Sequence, residues 1–171
     1  MLLIILLLAG VQSLYAQRSG QKVSFYIGYE IGLPTGNLKD TTRFVGGPLL
    51  KLSILAGPGY VTINSGLLLF FPDKKRLEDL KASIQIPVKA GYKYLFDEHF
   101  FVAAETGVSI FKRYSIKDNS DNLVSETSTG FTIGPVAGVQ FGKFEIALHY
   151  EHISLSKGNA GYVGFRLGSN F

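Results

Sequence analysis

The sequence contains no cysteine, and this absence removes several classes of protein. Without a thiol the chain can form no disulfide scaffold, no thiolate metal site and no cysteine nucleophile. No lipoprotein signal is present either, because no Cys follows the N-terminal apolar segment. Methionine is scarce, with one residue, whereas there are 20 Gly, 13 Phe and 9 Tyr. This composition favours β structure over helix.

Long apolar runs and concentrated charge are also missing. After residue 16 no apolar stretch approaches the roughly twenty residues that a spanning helix needs, so a membrane-spanning form of this chain has to be a closed barrel. The net charge of +4 is scattered and forms no basic stripe among aromatic residues, so we expect no nucleic-acid partner. No phosphate loop, zinc spacing or nucleotide fingerprint is present. We therefore predict no cofactor, no metal site and no catalytic residue.

The N-terminus has the pattern of a cleavable export signal. Residues 1–8 are an unbroken apolar run, and the apolar core of about eleven residues is too short to cross a bilayer as a helix. A polar stretch follows, with the small residue Ala16 before Gln17, as signal peptidase requires. We predict a signal peptide at residues 1–16 and a barrel domain at residues 17–171. The alternative is a buried N-terminal strand or helix of a cytosolic protein.

Apolar and polar residues alternate through nearly the whole of the predicted mature chain. The clearest segment places Ile84, Ile86, Val88, Ala90, Tyr92 and Tyr94 opposite Ser83, Gln85, Lys89, Gly91 and Lys93. Similar alternation occurs near 23–32, 44–56, 60–71, 99–112, 131–141, 144–151 and 162–171. Alternation with a period of two indicates β-strands, and runs of about ten residues have the length of tilted membrane strands. The sequence therefore predicts eight strands.

The predicted connections between these strands alternate in length. They lie roughly at 34–43, 57–59, 72–81, 96–98, 113–128, 142–143 and 156–160. The first, third and fifth are long and carry charge, whereas the second, fourth and sixth are short turns. Long loops at one end and tight turns at the other are typical of outer-membrane barrels. The seventh connection is shorter than that rule predicts.

The distribution of charge indicates which face of the strands points inward. The apolar faces carry no charge along their centres, whereas the polar faces carry a balanced set of acidic and basic residues. Charges in a narrow lumen need partners, because an unpaired buried charge is too unfavourable. We predict a lumen charge network of Glu30, Lys51, Lys89, Lys93, Glu105, Glu145, Glu151 and Arg166. The alternatives are a proton or ion path through the same charges, or a soluble lipocalin-like barrel with its faces reversed.

Glycine and aromatic residues support the same orientation. Small residues relieve crowding on a tight interior face, and the polar faces hold Gly28, Gly32, Gly66, Gly91, Gly107, Gly134, Gly138, Gly164 and Gly168. Aromatic residues flank the short turns (Tyr94, Phe96, Phe100, Phe101, Phe141, Phe144) and the long loops (Phe70, Phe71, Phe111, Tyr114). Two such groups predict aromatic girdles at the two membrane interfaces.

Several segments carry a resemblance to a known family. They are the signal ending in Ala16-Gln17, the segment 32–36 (GLPTG), the segment 86–94 (IPVKAGYKY) and the C-terminal segment 164–171 (GFRLGSNF). With them the chain resembles the PorT-like outer-membrane β-barrel family of Gram-negative bacteria. The resemblance implies a fold and a location rather than an activity. The C-terminal aromatic residue, Phe171, looks like the signal read by the outer-membrane assembly machinery.

A second, shorter resemblance suggests an enzyme. The segment 149–154 (HYEHIS) resembles part of the lipid A 3-O-deacylases, small outer-membrane barrels with a His-x-Ser pair on the lipid-facing wall. That resemblance makes His152 the base and Ser154 the nucleophile, and both lie on the outward face by parity. Two features depart from the pattern: Leu155 stands where an Asn is expected, and Val163 lies near the place of the orienting Glu. A Ser–His pair without a third group is a weak catalyst.

Taken together, the sequence predicts an all-β, eight-stranded antiparallel up-and-down transmembrane barrel of the cell outer membrane, with both termini periplasmic. We expect a side-chain-filled lumen and a structural or interaction role through the loops at 34–43, 72–81 and 113–128. The expected partners are outer-membrane lipid, lipopolysaccharide and the assembly machinery, and the expected state is a monomer. The alternative functions are a lipid A-modifying hydrolase and a soluble periplasmic binding barrel.

Overall fold

The computed structural model describes residues 22–72, 83–96, 99–116, 123–156 and 158–171. The predicted signal peptide and its cleavage site lie outside the described residues. Within them no helix is long and apolar enough to span a membrane.

Nine strand segments account for most of the described chain. They are β1 (Val23–Thr35), β2 (Thr42–Ala56), β3 (Gly59–Gly66), β4 (Leu68–Pro72), β5 (Ser83–Leu95), β6 (Phe100–Ile116), β7 (Leu123–Phe141), β8 (Phe144–Leu155) and β9 (Gly158–Asn170), with a short 3-10 helix at Gly36–Asp40. Each segment pairs antiparallel with its neighbours. Because β1 pairs with both β2 and β9, the sheet closes on itself.

The segments β3 and β4 form one interrupted strand. Both pair with β2 on one side and with β5 on the other. The structure is therefore an eight-stranded antiparallel barrel, and the predicted fold class is confirmed.

The interruption lies at Leu67, where two backbones approach closely. The carbonyl oxygen of Leu67 would lie only 1.9 Å from a Cβ added to Gly47, and the Leu67 N–H donates to the carbonyl oxygen of Pro48 at 3.1 Å. Only glycine permits this approach, and such irregularities bend a strand in a closed sheet. The predicted third strand at 60–71 thus contains a break that its alternation does not show.

Two of the turns at one end of the barrel begin with glycine in a left-handed conformation. Gly57 has φ +63° and Gly142 has φ +60°, and each is the first residue of a two-residue hairpin loop. Positive φ at that position matches the twist of the flanking strands. We call this the turn end of the barrel. It also contains the first and last described residues, where the backbones of Phe25 and Phe171 exchange hydrogen bonds of 3.1 and 2.7 Å.

The opposite, loop end departs from the sequence prediction at its largest connection. We predicted a loop at 113–128, but β6 and β7 stay paired from Lys112–Thr127 up to Ile116–Leu123. Charged and Ser-rich residues made this segment look like a loop. Their backbones pair because a local hairpin can continue beyond the barrel rim without any core to bury. The segment 73–82, which contains most of the predicted third connection, lies outside the described residues.

Candidate functional site: a closed polar lumen

The residues predicted to line the lumen all point inward. Glu30, Lys51, Lys89, Lys93, Glu105, Glu145, Glu151 and Arg166 are each at most 6% exposed. Along β5, for example, Gln85, Lys89 and Lys93 are buried, whereas Ile86 and Val88 are exposed. The charged residues thus face the interior and the large apolar residues face outward, which is the reverse of a soluble barrel.

Three of these charges form a cluster near the turn end. Glu145 on β8 accepts hydrogen bonds from Lys51 and, at 2.8 Å, from Lys93. Aromatic rings cover both ammonium groups: Lys51 Nζ lies 4.4 Å from the centre of the Tyr26 ring, and Lys93 Nζ lies 4.1 Å from that of Phe101. We call Lys51, Lys93 and Glu145 the turn-end cluster. Its two cations and one carboxylate leave an excess of one positive charge.

The other five charges form a central cluster. The Arg166 guanidinium donates from Nε to Glu30 at 2.7 Å and from Nη1 to the two carboxylate oxygens of Glu105 at 2.9 and 3.0 Å. Lys89 lies 3.3 Å from Glu105 and also pairs with Glu151. Three carboxylates against two cations leave an excess of one negative charge. The two clusters therefore balance each other, as buried ions require.

Neutral side chains complete the hydrogen bonding of the central carboxylates. Tyr162 donates to Glu30 at 2.8 Å, and Thr132 donates to Glu151 at 2.9 Å. Gln85 donates to Glu151 at 3.2 Å. We did not assign these residues to the network, although their alternation places each on an inward face. A polar residue at an inward-facing position of a strand, in a lumen that contains charges, is the signal that could have identified them.

His149 is a further member of the central cluster that the sequence prediction did not include. Its Nε2 lies 3.3 Å from Glu30 Oε1, and its Nδ1 lies 3.5 Å from Arg166 Nη2. The ring packs edge-on against Tyr162, with centroids 5.5 Å apart. It also lies across Gly164, where an added Cβ would be 2.0 Å from Nε2. A glycine opposite His149 is therefore necessary for this ring position.

An apolar layer fills the lumen toward the loop end. It consists of buried side chains from five strand segments: Val45, Leu68, Phe70, Phe111, Ile153, Ala160 and Tyr162. Phe70 packs edge-on against both Phe111 and Tyr162, with centroids 5.6 and 6.1 Å apart. We call this layer the apolar plug. It stands between the central cluster and a cavity of about 100 Å³ at the loop end, lined in part by Leu38, Thr42 and Ser128.

The plug corrects part of the predicted aromatic girdles. We assigned Phe70, Phe111 and Phe101 to the girdles from their nearness to turns and loops, but all three are buried inside the barrel, at 4%, 9% and 2% exposure. Their even or odd position in each strand, and not their distance from the strand end, decides the face. Phe71 does lie outside, stacked on Phe44 at 4.3 Å. The side chain of Tyr114 lies outside the described part of the chain.

The proposed hydrolase pair lies on the outward wall. Ser154 Oγ is 3.5 Å from His152 Nε2 at an exposed position, which is long for a nucleophile and its base. Within the described residues no carboxylate lies within ion-pair distance of His152. Nor does that part of the chain contain a group of three or more His, Asp or Glu residues arranged to hold a metal ion.

Comparison with known proteins shows the fold and no closer relationship. No protein-family model and no curated protein matches the chain. Among solved structures, the N-terminal β-barrel domain of Pseudomonas aeruginosa OprF is 14% identical and superposes over 90% of this chain and 100% of its own, with a TM-score of 0.65. Ail, the attachment invasion locus protein of Yersinia pestis, is 17% identical over 87% of this chain and 97% of its own, with a TM-score of 0.64. Neisserial surface protein A is 10% identical over 88% and 98%, with a TM-score of 0.53.

The fold and the distribution of side chains lead to the same conclusion. Exposed large apolar residues cover the outside of the strands, from Ile31 and Leu33 on β1 to Phe165 and Leu167 on β9. A continuous apolar surface of this kind is stable against hydrocarbon and not against water. The chain is therefore a transmembrane β-barrel of the outer-membrane type.

Proposed function

We propose that the mature protein is a monomeric outer-membrane barrel that acts as a rigid scaffold and interacts with other molecules through its loop end. The observation that carries this proposal is the interior. Both ion clusters and the apolar plug fill the lumen with paired or packed side chains. Because the interior is occupied, the loops are the part of the molecule that is available for recognition.

The orientation follows from the unequal ends. Outer-membrane barrels have short periplasmic turns and longer outer loops, so the turn end faces the periplasm and the loop end faces outward. Export through a signal peptide at residues 1–16 and recognition of Phe171 by the assembly machinery belong to the same proposal. The segments that resemble the PorT-like family support that narrower assignment.

Membrane fractionation combined with gel mobility tests the scaffold part of the proposal. We expect the protein in the outer-membrane fraction, with a folded band that shifts on heating, and with Gln17 at its N-terminus by mass spectrometry. Recovery of the folded protein from the soluble periplasm would contradict it.

A binding comparison tests the interaction part. One solved structure of Ail is a complex with the heparin analogue sucrose octasulfate, so heparin is a suitable first probe for this chain. Cells that express the protein are compared with cells that express a variant in which a Gly-Ser linker replaces residues 117–122. We expect cells with the wild-type protein to bind more heparin than cells with the variant that lacks residues 117–122. Equal binding by both cell types would argue against that loop as the contact.

A lipid A hydrolase is the second candidate, supported by the 3.5 Å contact between Ser154 and His152 on the outward wall. Without a carboxylate to orient His152, the pair has little catalytic power. The test is the mass of lipid A from cells that express the protein or its Ser154→Ala variant. We expect the same mass in both. Loss of an acyl chain that requires Ser154 would replace the scaffold proposal with the enzyme.

A further inference from the structure

Near the loop end the outward wall is polar on the adjacent strands β1, β9 and β8. Toward the middle of the membrane these strands expose Leu33, Val163 and Leu148. Nearer the loops their outward positions are polar or small. We call this group the outward polar patch: Thr35, Tyr150, His152, Ser154, Asn159 and Gly161.

Gly161 is the centre of the patch. It pairs with Thr35 on β1 and with His152 on β8, so these three residues form one row across the wall. A Cβ on Gly161 would lie 2.9 Å from Thr35 Oγ1 and 3.0 Å from the Tyr150 hydroxyl. Two hydroxyl groups therefore converge over a residue that has no side chain.

The polar groups next to this centre are exposed and close together. Ser154 and Asn159 pair across β8 and β9 and are both exposed, and Ser154 Oγ is 3.5 Å from His152. Among the described residues neither Tyr150 nor Thr35 has a side-chain hydrogen bond. Hydrogen-bonding capacity at the edge of an apolar wall is thus left for a molecule in the membrane interface.

We propose that the outward polar patch binds the oxygen-rich headgroup of an outer-leaflet glycolipid. Its hydroxyl, imidazole and amide groups are hydrogen-bonding groups, and the patch contains no Lys, Arg or carboxylate. Sugar hydroxyls and amides both donate and accept hydrogen bonds and match such a set. A phospholipid phosphate is better served by cationic side chains. The inference rests on the proposed orientation, which places the loop end in the outer leaflet.

Removing the converging hydroxyls tests the inference. The variant Thr35→Val/Tyr150→Phe deletes both oxygens and preserves shape. Purified barrels in phosphatidylcholine nanodiscs are titrated with deep-rough lipopolysaccharide or with phosphatidylglycerol, and bound lipid is counted by native mass spectrometry. We expect wild-type protein to prefer the glycolipid, and the variant to bind it about tenfold more weakly, as the loss of one or two net hydrogen bonds predicts.

Tyr94→Phe is the matched control, since Tyr94 and Tyr150 are both outward tyrosines with 40% exposure and Tyr94 lies at the turn end. We expect this control to bind like wild type. Asn159→Ala, at an exposed position, is a second variant that should weaken binding severalfold. Equal binding of both lipids by the wild type, or unchanged binding by both patch variants, would overturn the inference. Heat-modifiable mobility of each variant, measured in parallel, distinguishes loss of the site from failure of the barrel itself.

Discussion

Arg166 on β9 and Glu105 on β6 meet across the lumen although their strands are not neighbours. Two strands, β8 and β7, separate them along the sheet, yet the guanidinium reaches both carboxylate oxygens at 2.9 and 3.0 Å. The pair therefore braces opposite walls of the barrel. Because Arg166 also pairs with Glu30 on β1, a single side chain connects three strands.

Breaking this brace should destabilise the protein strongly. We expect Arg166→Met to lower the free energy of unfolding by about 3–5 kcal/mol, because it removes the guanidinium that pairs with two buried carboxylates, Glu30 and Glu105. Urea unfolding of the protein in lipid vesicles measures the change. Arg43→Met is the control, since Arg43 is exposed, and should change stability by less than about 1 kcal/mol. Similar losses for both variants would mean that the Arg166 contacts contribute little.

Labelling of single cysteines should show directly which face is outside. The chain has no cysteine of its own, so Ile86→Cys, Val88→Cys and Gln85→Cys each introduce one thiol. Ile86 and Val88 are 42% and 46% exposed, whereas Gln85 is fully buried. We expect thiols at 86 and 88 to react with a lipid-phase label and to resist water-soluble maleimide, and the thiol at 85 to resist both. Rapid labelling of position 85 by the water-soluble maleimide would show that the assignment of inward and outward faces is wrong.

The apolar plug should contribute core-like stability. We expect Phe70→Ala to lower the free energy of unfolding by about 3–5 kcal/mol, as for buried Phe in other cores. Phe71→Ala is the matched control. Phe71 is next to Phe70 in the chain, but its side chain stacks on Phe44 at the outer wall, so this variant should lose less unfolding free energy. A larger loss for Phe71 than for Phe70 would contradict the assignment of the plug.

The contact between His149 and Gly164 predicts an energetic coupling. Gly164→Ala would place a methyl group 2.0 Å from His149 Nε2, and the ring cannot easily move because Tyr162 packs against it. We expect a loss of about 1–3 kcal/mol from overpacking. The same substitution should be better tolerated in a His149→Ala background. Additive effects in this double-mutant cycle would show that the two sites do not interact.

The last residue should matter for assembly. Phe171 exchanges backbone hydrogen bonds with Phe25, so it fastens the seam between the first and last strands. We expect deletion of Phe171 to reduce the heat-modifiable folded form in outer membranes and to leave degraded or periplasmic material. Phe25→Leu is the control, because it changes the side chain at the same seam and keeps the backbone hydrogen bonds. Normal insertion of the truncated chain would show that the terminal residue is dispensable.

Much of this architecture is determined by the sequence alone. Alternation with a period of two assigns each residue to one of two faces, so the positions of Lys89, Lys93 and Ile86 follow from the sequence once a closed barrel is assumed. The glycines at Gly57 and Gly142 mark hairpin turns because a left-handed φ is unfavourable for other residues. The eight-stranded count and the membrane-facing surface follow from these local patterns.

Only the tertiary structure decided which inward residues meet. Alternation says that Arg166 and Glu105 share an interior, but their contact depends on the stagger of strands that are far apart in the chain. The same holds for Phe70, Phe111 and Tyr162, whose packing into a plug requires the closed sheet to bring β4, β6 and β9 together. The break at Leu67 depends on Gly47, a residue of the neighbouring strand. The periodicity of a sequence determines on which face of its strand each residue lies. Register and stagger are instead set by the pairing of strands and by closure of the barrel.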